Sequence, residues 1–388
     1  MATAKDVTKS RERLLALAIL VSLLGGWVVG WFRHHSDIAG FLKQALPGAV
    51  RFDSGEDSIH TGLTHAQSES ETAGFVAIRS VPGYAGPVTV AVGLDPNGTI
   101  VNAVIVRQTE SPAFFRKVSD KGLPGRFRGK DCSDPFEIGG DVDAVTGATV
   151  TLTALTEAVR VACSDMATGR LGLPVVVKTR SPIQFGLPEI LLILLIVTGF
   201  ATHANKLPAS AQIKWAVLIA SLVFIGFVWN RPVSLTNINS LLVGYWPRWQ
   251  NGVYWCLLLT ALLLPIILTG KTPYCSHICP FGAAQDILMR LGGSSRQLPG
   301  KYALFFKILQ RSLAWTAVMG ALVFRNPTVI TYGVSATFFT FIGANWQFVL
   351  LALVLIVSLF IARPWCNCLC PVRAVSDYIR LLRRSFAR

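Results

Sequence analysis

The amino-acid sequence predicts an α-helical membrane protein of six transmembrane helices that carries one α+β extracytoplasmic domain. Three observations lead there. Hydrophobic residues fill 52% of the 388 positions and charged residues 15%, where a soluble domain carries roughly 25% charged. Six apolar stretches recur, each long enough, or nearly so, for a ~30 Å hydrocarbon layer that takes about 20 residues to cross. Between the first and second stretches lies a long polar insert with strand-like alternation. The 36 Lys and Arg exceed the 21 Asp and Glu by 15. These basic residues cluster beside apolar runs, so membrane topology accounts for them and no nucleic-acid partner is expected. The composition also excludes a disordered or fibrous chain.

The stretches run over 14–32, 187–204, 213–229, 253–268, 309–324 and 346–362. Lys5, Lys9, Arg11 and Arg13 precede the first, as in a signal peptide. No small-residue cleavage site follows, and Trp27, Trp31 and Phe32 close the run as interfacial aromatics do, so a retained anchor is expected. Lys206, Lys214, Lys271, Arg290, Arg296 and Lys301 fall on the side of the N-terminal basics, with Arg363, Arg373, Arg380, Arg383, Arg384 and Arg388 of the tail. The opposite connections hold only Arg231, Arg248 and Arg325. The positive-inside rule then places both termini in the cytoplasm of a multi-pass protein of the cytoplasmic (inner) membrane. The layout is a cytoplasmic segment 1–12, an anchor 13–32, an extracytoplasmic domain 33–183, five helices over 187–362 with a loop at 271–302, and a cytoplasmic tail 363–388.

In the insert, 87–93 and 99–107 alternate around Asp95-Pro96-Asn97-Gly98, a hairpin signal. Leu152, Leu155, Val159 and Ala162 fall at helical intervals over 151–166. The polar stretch 53–72 reads as irregular. Asp143-Ala144-Val145-Thr146-Gly147-Ala148-Thr149 opens the helix. The small Gly147 and Ala148 allow a ligand close to the backbone, and the free amides of a helix start favour an anion such as phosphate. An ordinary cap by Thr146 or Thr149 is the plainer alternative.

The eight Cys divide by compartment. Cys132 and Cys163 lie in the outer domain, where either a disulfide or two buried thiols is open. Cys256 falls inside the fourth apolar run, as a packing residue. The other five sit in a duplicated motif. Pro273-Tyr274-Cys275-Ser276-His277-Ile278-Cys279-Pro280 recurs as Pro364-Trp365-Cys366-Asn367-Cys368-Leu369-Cys370-Pro371. Ala283 then matches Ala374, Asp286 matches Asp377 and Leu288 matches Ile379. Each copy follows a pair of apolar runs, so the last four runs form a duplicated hairpin, and sites of such repeats gather near their pseudo-twofold axis. Cysteines four apart share a helical face, and two such faces offer four thiolates to one metal centre. Cys275, Cys279, Cys366 and Cys370 are the expected ligands, with His277 and Cys368 as additional candidates that a continuous helix would turn away. Thiolates alone leave iron–sulfur, zinc, or a hairpin pinned by reduced thiols open. The proline after the last Cys suits the first position of a helix, and 281–291 and 372–382 read as amphipathic helices at the interface.

The segment ending in Thr-Gly-Ala-Thr resembles the covalent-flavin motif Asp-x-x-Ser/Thr-Gly-Ala-Thr of the FMN-binding domain family, which includes the C subunit of sodium-translocating NADH:quinone oxidoreductase. The resemblance implies FMN joined to Thr149 by a phosphoester, set there by a flavin transferase, with Asp143, Thr146, Gly147 and Ala148 around it. Gly83-Tyr84-Ala85-Gly86-Pro87 leads the first strand in the family pattern, and Asp95 to Ile100 form its hairpin. Thr109-Glu110-Ser111-Pro112 stands where relatives have Glu-Thr-Pro-Gly, and Ala113-Phe114-Phe115 depart from them. This adds Gly83, Tyr84 and Glu110 to the cofactor-binding candidates.

An outer FMN domain ahead of two Cys-x3-Cys-Pro motifs resembles, over essentially the whole chain, the family of the nitrous-oxide-reductase regulator and the membrane flavoprotein of reductive-dehalogenase operons. Phe41 to Ala49 after the anchor share in it. The regulator carries a C-terminal ferredoxin domain, whereas this sequence runs 17 residues past Pro371, so the shorter flavoprotein is the nearer match. The resemblance implies an electron-transfer component of anaerobic respiration. Electrons would be relayed between the quinone pool, or an inner iron–sulfur centre, and an extracytoplasmic redox enzyme. Because ~30 Å of apolar layer separates the two expected centres, a quinone or a partner membrane subunit would bridge them. A second expectation is a maturation factor that supplies electrons for cofactor insertion into an exported metalloenzyme. Whether the chain is itself an enzyme is open at this point.

Weaker candidates are interfacial His34 and His35, the outer His60 and His65, and His203, which has no partner His at usable spacing for haem. Glu189 at the start of the second run either takes a proton from quinol or reaches to water. Lys307 and Arg311 face the headgroups.

Overall fold

The computed structural model describes residues 4–33, 38–54, 58–64, 71–120, 122–140, 142, 149–172, 185–204, 210–246, 252–293, 296–297 and 299–386. The chain divides into two compact units, 34–181 and a second made of 1–33 with 182–388. The first helix, α1 (Ala4–Phe32), belongs to the second unit.

The unit 34–181 is α+β, as the alternation anticipated. It contains α2 (Ile38–Ala45), β1 (Arg51–Ser54), β2 (Ile59–Leu63), β3 (Thr72–Pro82), β4 (Pro87–Leu94), β5 (Ile100–Arg107), α3 (Pro112–Asp120) and α4 (Thr149–Met166). The strands form one antiparallel sheet in sequence order. Val88, Val90, Val92 and Leu94 alternate onto one face, where Leu152, Leu155, Val159 and Ala162 of α4 complete the core. Ala91 and Val76 point to the other face and pack with Leu42, Ala45 and Leu46 at α2. Gly93 is required there, since any side chain would strike the Ala45 carbonyl. The hairpin turns as its sequence asks. Asp95 Oδ1 accepts from Asn97 N at 2.9 Å and Thr99 N at 2.8 Å, and Gly98 takes φ 92°.

Two expectations are corrected here. The stretch 53–72 is not irregular where it is described: β1 and β2 pair through Arg51↔Leu63 to Ser54↔His60, and β2 continues onto β3. Their polar residues face outward while Ile59 is buried, a pattern too short for periodicity to register. Gly83 to Gly86 lead the strand at 87–94 as expected, but that strand is the fourth and not the first: they turn β3 into β4, with Gly83 N–H donating to the Gly86 carbonyl at 2.8 Å.

The second unit holds α5 (Leu187–His203), α6 (Ser210–Ser221), α7 (Leu235–Val243), α8 (Val253–Thr269), α9 (Pro280–Leu291), α10 (Gly300–Val323), α11 (Val334–Thr340), α12 (Asn345–Ser358), α13 (Pro364–Cys368) and α14 (Pro371–Phe386). α6 continues as a π-helical segment, Leu222–Val228. All six apolar stretches fall on helices. Among the described residues, Glu12–Phe32 and Ala211–Val228 are long and apolar enough to cross a membrane, and α11 with α12, bent by 93°, passes as a broken span. α5 and α8 are shorter apolar helices of 17 residues. α1 is not an isolated anchor. Gly26 faces Met319, Ser22 Oγ accepts from Trp315 Nε1 at 3.2 Å, and Ala16 O accepts from Tyr378 Oη at 3.0 Å.

The duplication goes further than the cysteine motifs. Trp229-Asn230-Arg231-Pro232 and Phe324-Arg325-Asn326-Pro327 end the first helix of each hairpin. Asn230 and Arg325 both adopt the left-handed conformation, with φ 50° and 47°. The segments after the motifs form helices, as their periodicity predicts. α9 buries Pro280 through Asp286, and its Arg290 lies 4.0 Å over the Trp215 ring of α6.

Candidate functional site

The first candidate site centres on Glu110. Its carboxylate is buried, and Oε1 accepts from the backbone N–H of Tyr84 at 2.6 Å and of Ala85 at 3.2 Å. Oε2 accepts from Thr151 Oγ1 at 2.9 Å. One side chain thus ties the β3–β4 turn to the first turn of α4. Gly83 is small for the same reason, since a side chain there would collide with Glu110 Oε1. Burial raises the Glu110 pKa, opposed by these three hydrogen bonds. Thr149 is the first residue of α4; Asp143, Thr146, Gly147 and Ala148 lie outside the described residues, as do His34, His35 and His65. An 18-residue helix that starts at Thr149 favours an anion at its N-terminus, which fits a group carrying a phosphate. Cys132 and Cys163 are free thiols in the core below, where burial pushes both up.

The second candidate site is where the two cysteine motifs meet. Cys275 lies in a π-turn, Tyr274–Ile278, and Cys279 caps α9. Cys366 lies in α13, and Cys370 immediately precedes Pro371, the first residue of α14. Cys275 interacts electrostatically with Cys279 and Cys366, and Cys370 with all three. The motif is therefore a turn followed by a break, and four thiols from the two copies converge. Phe281 and Gly282 N–H donate to Cys279 Sγ, and Arg373 N–H donates to Cys370 Sγ. Gln285 Nε2 donates to Cys366 Sγ at 3.4 Å. Among the described residues no three His, Cys, Asp or Glu side chains close in as a single metal ion requires. A four-iron cluster spreads its thiolates wider, and N–H donors aimed at sulfur are the surroundings that such clusters use. The residues fit an iron–sulfur cluster.

His277 and Cys368 are sorted away from the four thiols. His277 Nδ1 pairs with Ser276 Oγ at 2.7 Å, and its ring stands 5.1 Å from that of His203, edge to face. His203 thus does have a histidine partner, hidden because 74 residues separate them. Cys368 is buried, and the charge acting on it is Arg373. Glu189 neither reaches to water nor stands free: Oε2 accepts from Gly186 N at 2.8 Å and caps α5.

Sequence reasoning missed the frame that holds the thiols. Arg363 pairs with both oxygens of Asp286 and donates through Nη1 to the Cys275 carbonyl at 2.9 Å. In the other copy, Asp377 pairs with Arg380 at 2.9 Å, which donates to Gly270 O and Thr272 Oγ1, both at 2.9 Å. Both repeated Asp residues therefore hold an Arg against the first copy, Arg363 at the Cys275 carbonyl and Arg380 at Gly270 and Thr272 just before it. Gln310 Nε2 donates to the carbonyls of Cys366 and Cys370 at 3.2 and 3.0 Å. The matched Asp286 and Asp377, and a glutamine inside an apolar run, were the available signals.

Comparison with known proteins agrees with both sites. Residues 83–164 match the FMN-binding domain, and residues 251–299 and 346–388 match a 4Fe-4S binding domain. Protein NirI of Paracoccus denitrificans is 29% identical over 184 residues, 42% of this chain and 26% of that protein. Regulatory protein NosR of Pseudomonas aeruginosa is 26% identical over 206 residues, 47% of this chain and 28% of that protein. One component of the proton-translocating ferredoxin:NAD(+) oxidoreductase complex of Clostridium ljungdahlii is 28% identical over 109 residues, 26% of this chain and 58% of that protein. The chain spans about a quarter of the length of the first two relatives. FMN-binding and 4Fe-4S binding regions in one chain, with NirI and NosR as relatives, support the family resemblance drawn from the motifs.

Proposed function

We propose that this chain, with an FMN-binding domain and a 4Fe-4S binding domain of the nitrous-oxide-reductase-regulator kind, is a membrane electron-transfer flavoprotein. It has six spans, its domain 33–183 is extracytoplasmic, and both termini are cytoplasmic in the inner membrane. FMN is attached to Thr149 through its phosphate by a flavin transferase. Cys275, Cys279, Cys366 and Cys370 hold the cluster. Electrons pass between the quinone pool or a partner membrane subunit and an extracytoplasmic redox enzyme of anaerobic respiration.

Two observations carry this reading: a braced start for α4 at Thr149 and, separately, a four-thiol site built from two sequence copies. Bound FMN supplies one- and two-electron chemistry. The protein supplies position. Glu110 fixes the Tyr84–Ala85 turn against Thr151, two residues beyond Thr149. Asp286, Arg363, Gln285 and Gln310 keep the two cysteine motifs in register. The relative that is named as part of a ferredoxin:NAD(+) oxidoreductase complex supports a place among membrane partners.

Intact mass of protein made in cells with a flavin transferase tests the first half. The wild type should carry one FMN through denaturation and Thr149→Ala none. A covalent flavin that survives Thr149→Ala, or a wild type without one, rejects Thr149. Iron analysis of anaerobically purified protein tests the second half, and an iron-free preparation rejects the cluster.

A further inference from the structure

The thiol site touches parts of the chain that a surface loop does not reach. The connections from α6 to α8 and from α10 to α12 leave one end of their helices, and the cysteine motifs follow α8 and α12 at the opposite end. Yet Val233 N–H, in the first connection, donates to Tyr274 Oη at 3.3 Å, one residue before Cys275. Tyr332 and Phe338, in the second, pack their rings 6.3 Å from Trp365 and 5.7 Å from Phe281. Opposite ends of a helical hairpin meet only where the chain folds back into the bundle.

Register along neighbouring helices gives the depth independently. The end of α9 sits at the motif end, where Arg290 covers Trp215 and Gly292 abuts the Leu359 backbone. A helix rises 1.5 Å per residue, so its first residue lies about 16 Å farther in. There Phe281 and Cys279 share a packed cluster with Leu351 and Val354, halfway along α12, and with Leu222, halfway along 210–228. α14 runs antiparallel to α1, with Arg13 Nε donating to Ser385 O at 2.8 Å and Tyr378 Oη to Ala16 O. Seven residues back, Pro371 stands about 10 Å deeper. Val375 packs in one cluster with Leu23, the middle of the span Glu12–Phe32.

We infer that the four-cysteine centre is intramembrane: α9 and α14 are half-spans that enter from the cytoplasmic side and aim their N-termini at the thiols near mid-depth. This rests on the membrane reading above. The chemistry suits the place. Helix N-termini carry partial positive charge, which favours an anionic thiolate-bound group where water is absent. On the half-spans Asp286 pairs with Arg363 and Asp377 with Arg380, and Arg373, at the exposed side of the α14 start, donates to Asn367 Oδ1 at 2.6 Å. A centre held by these four cysteines would stand about half of the ~30 Å layer from the outer face. Rings pack beside the cysteine motifs, Tyr332 against Trp365 and Phe338 against Phe281.

Sealed vesicles of both orientations, holding full-length protein, decide the matter. After gentle chelation, the four thiols are labelled with a membrane-impermeant or a membrane-permeant maleimide and mapped by mass spectrometry. Arg384→Cys, at the exposed end of α14, serves as the surface control. Labelling of the four thiols by the impermeant reagent should be at least ten-fold slower than by the permeant one, from either face. The control should react at full rate from the cytoplasmic face. Full-rate labelling of the quartet from that face, in protein whose melting is unchanged, overturns the inference. Untreated protein gives a second reading: a water-soluble dysprosium chelate on either face should leave the relaxation of the reduced cluster unchanged, and enhancement from the cytoplasmic face overturns it. Iron-free protein would reject the cluster, while the thiol rates would still decide the depth.

Discussion

Each unit of the molecule braces its site with a buried carboxylate, and the two carboxylates are handled differently. In the sheet unit, Glu110 accepts two backbone N–H groups and a threonine hydroxyl. In the helical unit, Asp286 is gripped by the Arg363 guanidinium, which goes on to the Cys275 carbonyl. Neutral donors satisfy a carboxyl that is free to keep its proton, and Glu110 is pushed that way by burial. A carboxylate beside four thiols and a cation is instead one half of an ion pair, and each half needs the other.

The sharpest break in that comparison is Asp286→Ala. The side chains of Asp286 and Arg363 are only 12% and 21% exposed, so the substitution strands a guanidinium and should cost about 3–5 kcal/mol. Replacing both, Asp286→Leu with Arg363→Met, should recover most of that loss, because an apolar pair of similar volume has no charge to desolvate. Thermal unfolding in detergent, followed by tryptophan fluorescence, measures both. Equal destabilisation by the single and double variants would show that shape does not suffice and that the motifs depend on the hydrogen bond from Arg363 to the Cys275 carbonyl.

Next in size is Glu110→Ala, which removes the acceptor for Tyr84 and Ala85 N–H and for Thr151. About 2–3 kcal/mol is expected, since each buried donor deprived of its partner costs about 1–3 kcal/mol and part of the gap admits water. Glu110→Gln keeps an acceptor for the turn and should lose less than half as much. Hydrogen exchange of the 83–94 backbone in the full chain reads the difference. If the two variants open equally, the charge rather than the geometry of Glu110 holds the turn.

The two regions were also unequally legible from sequence. The sheet unit declares itself locally. Val88, Val90, Val92 and Leu94 alternate, Asp95 to Gly98 turn, and Leu152 to Ala162 repeat at helical spacing, all settled by neighbours in the chain. β1 and β2 escaped because four and five residues with outward polar side chains carry too little pattern. In the helical unit the four cysteines were visible through duplication, whereas what packs around them was not. Nothing in Pro280 to Leu291 says whether its apolar face meets lipid headgroups or the middle of α6 and α12, because that is set by contacts tens of residues away. Gln310 and His203 illustrate the same limit: each looks isolated in its own run and finds its partner, Cys366 or His277, only through the fold.

The finest test concerns Thr151, whose hydroxyl favours the charged form of Glu110. The folded-state pKa of Glu110 is raised above the ordinary carboxylate value. Its stabilising contribution is therefore complete below about pH 4.3, where the unfolded carboxyl titrates, and falls as pH rises through the folded-state value. Subtracting the pH–stability curve of Glu110→Gln from that of the wild type isolates this decline. Thr151→Val removes one of the donors that restrain the shift, so the decline should extend to higher pH. The change should cost about 1 kcal/mol near neutrality, the worth of one hydrogen bond to a charged group less what the methyl regains. A difference curve that instead loses stability on acidification would mean that Glu110 is held in its ionised form. The neutral-donor brace of the sheet unit would then work as an ion site after all, and the contrast with the guanidinium-gripped Asp286 would narrow to the identity of the donors.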